Sequence, residues 1–242
     1  QSLVNLDDAL AKLDTMPAGA LVDLELLRST LRYSRTRLEG LVSSGDSDAS
    51  AIAEEAEALS RFVSPLLRGE DPIRSIRGPA RLAYRSPLDG NDHPFGIYVP
   101  PSFGKNPDKK YPLVVVLHGL NGQPMQMIRW FFGRDDGAHN GYWEDRHWGQ
   151  LPDLDAIVIS PSGFGNLGYR DSGEVDVMSL RDWAIRAFPV DGKHIYVTGP
   201  SMGGIGSAAV ALRYADHWGA AAPLCGYHSF FLRNDMQGRR RR

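Results

Sequence analysis

The stretch "KHIYVTGPSMGG", residues 193–204, runs from a β-branched, aromatic segment straight into a serine set among glycines, and its reading decides the fold. A chain that leaves a buried strand, reverses at one residue and enters a helix lifts that residue's side chain above the sheet. The positions two residues to either side must then be small. Gly199 and Gly203 fill them around Ser201, and Gly204, Gly206, Ser207, Ala208 and Ala209 let the next helix approach closely. Pro200 restricts Gly199 to extended geometry, as the end of a strand requires. A Gly-x-Ser-x-Gly string also occurs in ordinary loops. Here the strand before it and the small-residue helix after it meet the context that a nucleophilic serine needs.

Working outward, "YPLVVVLH" (111–118), "DAIVIS" (155–160) and "AAAPLC" (220–225) are further apolar strands, with helical "VMSLRDWAIRAF" and "GGIGSAAVALRYA" between strands. Such alternation describes an α/β protein whose parallel sheet is covered on both faces. Upstream, "ARLAYRS" and "PFGIYVP" flank "PLDGND", where an Asp-Gly step predicts a hairpin. From the N-terminus to about residue 68 the period changes to that of helices. Leu3, Leu6, Leu10 and Leu13, then Leu24, Leu27, Leu31 and Leu38, then Ile52, Ala56, Leu59 and Val63 predict three amphipathic helices. "MPAGA" and "SSGDSDAS" separate them, and Pro65 with Gly69 is expected to end the third. The division is a helical segment over 1–78 and an α/β domain over 79–242. The helical segment reads as a packing or oligomerisation layer.

Composition narrows the function. In 242 residues, 27 basic and 29 acidic side chains give a net charge of -2, so outside the closing "RRRR" there is no footprint for nucleic acid. No apolar run is long enough to span a bilayer, and no membrane partner is implied. One cysteine, Cys225, excludes an internal disulfide. Gln1 in place of an initiator methionine implies processing upstream and weighs towards a secreted or periplasmic protein, otherwise a cytoplasmic one. His139 and His147 lack metal-ligand spacing, so no metal and no cofactor are expected.

"LVVVLHGLNG", 113–122, ends a strand in His118-Gly119. Acyl transfer passes through a tetrahedral oxyanion, which two preorganised N–H donors stabilise. The amide of Met202, directly after the serine, is one candidate and that of Leu120 the other, with Asn121 as the adjacent possibility. His118 reads as an orienting loop residue rather than a base.

Together, "LHGLNG", "VTGPSMGG" and "APLCGYHS" resemble the esterase and prolyl-oligopeptidase-like α/β-hydrolases, a group that includes feruloyl esterases, polyhydroxybutyrate depolymerases and predicted peptidases. The resemblance covers residue 79 onward. It implies an α/β-hydrolase sheet, incomplete at its C-terminal end and preceded by the helical segment. The implied activity is hydrolysis of a small carboxylic ester through an acyl-enzyme on Ser201, with a peptidase or a non-catalytic binding protein as alternatives.

A serine hydroxyl needs a base, itself oriented by a carboxylate. In this group the acid and then the histidine follow the serine, and only 41 residues remain after position 201. A missing C-terminal segment or a second chain is therefore expected to supply Asp and His, and the present chain alone is expected to be nearly inactive. His217 reads as a surface residue, and His228 as a pocket-lining residue beyond a central strand. Asp216 and Asp235 read as solvated carboxylates. Asp171, Glu174 and Asp176 read as charges at a helix start. Between the strands at 111 and 155 lie Trp130, Phe131, Phe132, Tyr142, Trp143 and Trp148. Trp130 is the candidate substrate contact there, the rest burying a long loop.

Overall fold

A computed structural model describes residues 2–17, 19–44, 49–133 and 151–226. The N-terminal helices are α1 (Ser2–Thr15), α2 (Leu24–Ser43), α3 (Ala49–Leu67) and a single turn, α4 (Pro72–Ser75). Asp23 caps α2 by accepting from the amide of Leu26 at 2.9 Å. Asp71 caps α4 through the Ile73 amide at 2.9 Å and also accepts from Val22 at 2.6 Å, which ties the α1–α2 connection to α4. Pro65 does not end α3. The helix runs through it to Leu67, and the reversal comes at Gly69, whose φ of 79° suits an αL cap. A proline so near the end deprives one carbonyl of its donor without costing the helix a full turn.

The sheet has six strands: β1 (Gly78–Arg85), β2 (Asp92–Val99), β3 (Tyr111–Val116), β4 (Ile157–Pro161), β5 (Val190–Pro200) and β6 (Ala220–Leu224). Their spatial order is β1-β2-β4-β3-β5-β6. β1 pairs antiparallel with β2 and β2 antiparallel with β4, after which β4, β3, β5 and β6 are parallel. The expected hairpin closes through Ser86 N–H to Asn91 O at 2.9 Å, with Gly90 at φ 68°.

Three helices follow β3, β4 and β5: α5 (Pro124–Phe132), α6 (Ser172–Ala187) and α7 (Met202–Arg213). Helix α5 replaces the start of what reads in sequence as a long aromatic loop. Its nine residues are too few for a clear period, but Gln123 and Gln126 form a reciprocal cap and Pro124 begins the first turn. It lies so close to β2 that a Cβ on Gly96 would come within 2.6 Å of the Met125 sulfur.

Alternation along β3 explains the layers. Leu113, Val115 and Leu117 join the main buried cluster with residues of α1, α2, α3, α6 and α7, whereas Val114 and Val116 join a smaller one with Met125, Met127 and Ile128 of α5. Coverage of the two faces is thus unequal: four long helices and α6 share one cluster, and α5 alone among the described helices serves the other. The helical layer is continuous with the sheet's core. Thr30 Oγ1 of α2 accepts from the Ala83 amide of β1 at 2.9 Å, and buried Glu55 of α3 pairs with buried Arg81 of β1. Among the described residues no helix is long and apolar enough to cross a membrane.

Candidate active site

Six non-glycine residues hold positive φ among the described residues: Asn121, Phe164, Tyr169, Asp171, Ser201 and Cys225. All lie beyond the C-terminal ends of β3 to β6. Each such conformation costs roughly 1–3 kcal/mol and persists only where the surroundings over-determine it. Among the described residues the strain is therefore gathered along one edge of the sheet.

Ser201 has φ 52° and ψ -115° between the end of β5 and the start of α7, and its side chain is exposed. Its amide donates to Leu224 O of the neighbouring β6 at 2.9 Å, and its carbonyl accepts from Ile205 at 3.0 Å. The glycines are there for space. A Cβ on Gly199 or Gly203 would collide with the Leu117 carbonyl, and one on Gly204 with the Leu224 carbonyl.

The loop after β3 lies against this bend, since a Cβ on Gly119 would sit 3.9 Å from the Ser201 Cβ. Gly122 N–H closes a turn onto Gly119 O at 3.0 Å. The Asn121 amide is already committed, donating to Asn166 Oδ1 at 2.8 Å while Asn166 Nδ2 donates to Asn121 Oδ1 at 2.7 Å. The amides of Leu120 and Met202 have no acceptor among the described residues. Leu120 itself is 55% exposed.

His118 is buried, and its ring nitrogens face two main-chain carbonyls, Gly119 O and Ser162 O, each at 2.8 Å. Both nitrogens are thus turned to main-chain carbonyls, an orienting position rather than that of a base toward Ser201. Tyr169, fully buried, brackets the same residue: its hydroxyl accepts from the His118 amide at 2.7 Å and donates to the His118 carbonyl at 3.3 Å. Burial pushes that phenol far above its ordinary range.

Sequence reading gave Asp176 only the role of a charge near a helix start, and the structure corrects this. Its side chain is buried, accepting from Tyr84 Oη and from the Gly163 amide, each at 2.7 Å, with Ser162 Oγ at 3.4 Å. Burial raises its carboxyl, and the Tyr84 and Gly163 bonds oppose the rise. A continuous path results: Asp176 holds the 162–163 turn, Ser162 O holds His118, and His118 holds Gly119 beside Ser201. Glu174 is likewise engaged, by Arg213 at 2.5 Å and Tyr214 at 2.6 Å. Asp171 shares the conformation of Ser201, with φ 49° and ψ -111° at the head of α6. No periodicity or motif marks Asn166, Tyr169 or Ser162 in the sequence.

The remaining candidates are placed as follows. Trp130 is half exposed near the end of α5, edge-on to Phe131 with ring centroids 6.3 Å apart. Phe131 and Phe132 pack against the smaller cluster. His217 is exposed in a single 3₁₀ turn (Ala215–His217) beyond α7, the far end from Ser201, and its carbonyl accepts from Arg181 at 3.0 Å. Asp216 is exposed beside it. His228, Asp235, Tyr142, Trp143, Trp148, His139 and His147 lie outside the described residues. Among those described, no group of three or more His, Cys, Asp or Glu could hold a metal ion.

No protein-family model matches the chain, and no curated protein does. Solved structures do. The fluorophosphonate-binding serine hydrolase F of Staphylococcus aureus, with substrate bound, is 24% identical, covering 62% of this chain and 57% of its own, at a TM-score of 0.45. An S-formylglutathione hydrolase from Staphylococcus aureus is 22% identical over 62% and 57%, at 0.46. A ferulic acid esterase from Anaeromyces mucronatus, in complex with ferulic acid, is 15% identical over 64% and 60%, at 0.43. The chain thus spans under two thirds of the length of these structures. By its strand order, its opening antiparallel pair and the strained serine between β5 and α7, the described chain has the α/β-hydrolase fold.

Proposed function

We propose that this chain carries the nucleophile and oxyanion hole of a serine hydrolase acting on carboxylic esters. The observation that carries the reading is the juxtaposition at Ser201: an exposed hydroxyl on a strained turn with Gly119 packed against it, the following amides of each segment, Met202 and Leu120, having no acceptor among the described residues. In the proposed reaction Ser201 Oγ bonds to the ester carbonyl carbon as its proton passes to a base. The carbonyl oxygen, now anionic, receives the Met202 and Leu120 N–H groups, each contributing on the order of 3 kcal/mol. The carbon–alkoxy bond then breaks, the alcohol leaves with the proton, and water releases the acid from Ser201 by the reverse sequence.

The base and its carboxylate are proposed to come from outside the described residues. Of the described histidines, His118 is held between carbonyls, His93 is bonded to Asp89 at 2.8 Å, His194 is bonded to Asp191 at 2.8 Å near the opposite strand ends, and His217 is beyond α7.

A fluorophosphonate probe and p-nitrophenyl acetate test the reading, applied to this chain and to any longer product of its gene. Expected is covalent labelling at Ser201 in the longer product, lost in Ser201→Ala, with the chain alone labelling far more slowly. Absence of labelling in both forms would overturn it in favour of a binding protein that keeps the turn. Hydrolysis of peptide but not ester substrates would move the assignment to a peptidase.

A further inference from the structure

The opposite edge of the sheet carries a different chemistry. An open cleft of about 620 Å³ lies there, lined by Arg74 of α4, Arg77 before β1, Phe103 after β2, Arg186 near the end of α6, and Leu21 and Val22 of the α1–α2 connection. It is built jointly by the helical layer and the α/β part, at the strand ends away from Ser201.

Three arginines line it, and no carboxylate is among its lining residues. Elsewhere arginines 28, 32, 35, 37, 68, 81, 85, 181 and 213 are each paired with an acid. Arg74 pairs with Asp71 at 3.7 Å, a carboxylate that also accepts from the amides of Val22 and Ile73. Arg77 Nη1 donates to the carbonyls of Arg74 and Ile76, at 3.0 and 2.6 Å, and the guanidinium lies over the Phe103 ring at 4.7 Å. Carbonyls and a ring face orient that group without neutralising its charge. Arg186 has no hydrogen bond or ion pair among the described residues and is exposed. A protein of net charge -2 thus places two arginines without an ion pair among the described residues, Arg77 and Arg186, beside a third in one concave place, with an apolar wall of Leu21, Val22 and Phe103.

Guanidinium groups present planar pairs of N–H donors that match the oxygens of phosphoryl and carboxylate groups. We propose that this cleft binds a small ligand carrying two or more negative charges on phosphoryl or carboxylate oxygens, its carbon body against Phe103. Because the lining comes from both layers, such a ligand joins the helical layer to the sheet and stabilises the native state by mass action.

Titration calorimetry and thermal unfolding of the intact chain at constant ionic strength, with pyrophosphate and separately with citrate, test this. Expected is saturable binding below about 1 mM by at least one of them, with a rising Tm. Preference for pyrophosphate assigns a phosphoryl ligand, and preference for citrate a polycarboxylate. Arg186→Gln should weaken binding about tenfold or more while leaving the ligand-free Tm unchanged, because its side chain has no partner to lose. Lys12→Gln, outside the cleft, should bind as the parent does. Absence of saturation by either anion up to about 10 mM, or equal binding by Arg186→Gln, would overturn the proposal.

Discussion

The two edges of the sheet hold their chemistry in different ways. At the C-terminal ends of β3 to β6 the important groups are main-chain: amides at 120 and 202, carbonyls at 117, 119 and 162, and a backbone bent into positive φ at six non-glycine residues. At the other edge, and across the helical layer, the chemistry lies in side chains, chiefly arginines, on backbone without that strain. Main-chain donors can be aimed only by fixing the chain itself, which costs conformational energy. Charged side chains need no special backbone, but they need partners or a ligand. The first edge suits a fixed transition-state geometry and the second suits association.

The sharpest break in the comparison is at the serine. On the proposed reading, Ser201→Ala in the active form should reduce ester turnover by roughly 10⁶-fold and abolish probe labelling, whereas Arg186→Gln should leave turnover unchanged. Equal loss in both would mean that the edges are not separate sites.

Next come the supports of each region, read by urea unfolding. Glu55→Ala removes the buried carboxylate paired with Arg81 and Arg37 and should cost about 3–5 kcal/mol. Gly203→Ala drives a methyl group into the Leu117 carbonyl and should cost about 3 kcal/mol or lower the yield of folded protein. A cost below about 1 kcal/mol there would show that the turn can relax, contrary to the strain argument.

Asp176 sharpens the comparison through pH. Its carboxyl titrates above the ordinary 3.8 in the native state because burial disfavours its charge. The native state then keeps the proton that the unfolded state has lost, so this residue's contribution to stability falls as pH rises from 3.8 through the raised native value, and is level above it. Asp92 and Asp191, held low by their partners, act in the opposite sense, so the quantity to read is the difference between parent and Asp176→Asn. The variant should lack the falling component in urea midpoints taken from pH 4 to 8. Identical profiles would remove Asp176 from the path to His118.

The smallest effect is expected at Asn166. Asn166→Ala removes both bonds to Asn121 and, on the proposed reading, should lower kcat about fivefold with little change in KM, as loosening of the loop after β3 would, and cost about 1 kcal/mol of stability. A change confined to KM would place Asn166 against substrate instead.

Local order in the chain was enough for the elements and for the nucleophile candidate. Periods of 3.6 in residues 3–63, buried β-branched runs at 111, 157 and 195, and glycines two residues either side of Ser201 each record a short-range steric demand. They can be read because the residues that satisfy it are adjacent. Helix α5 escaped notice because nine residues do not establish a period, and Pro65 misled because a proline near a helix end can be accommodated. The path from Asp176 to His118 and the bracket by Tyr169 join residues 44 to 58 positions apart, and the arginine cleft joins residues 21 to 187. Only the packed sheet could decide those groupings. Which carbonyl a buried donor meets depends on the register between strands and the approach of helices, and neither is written in any one segment.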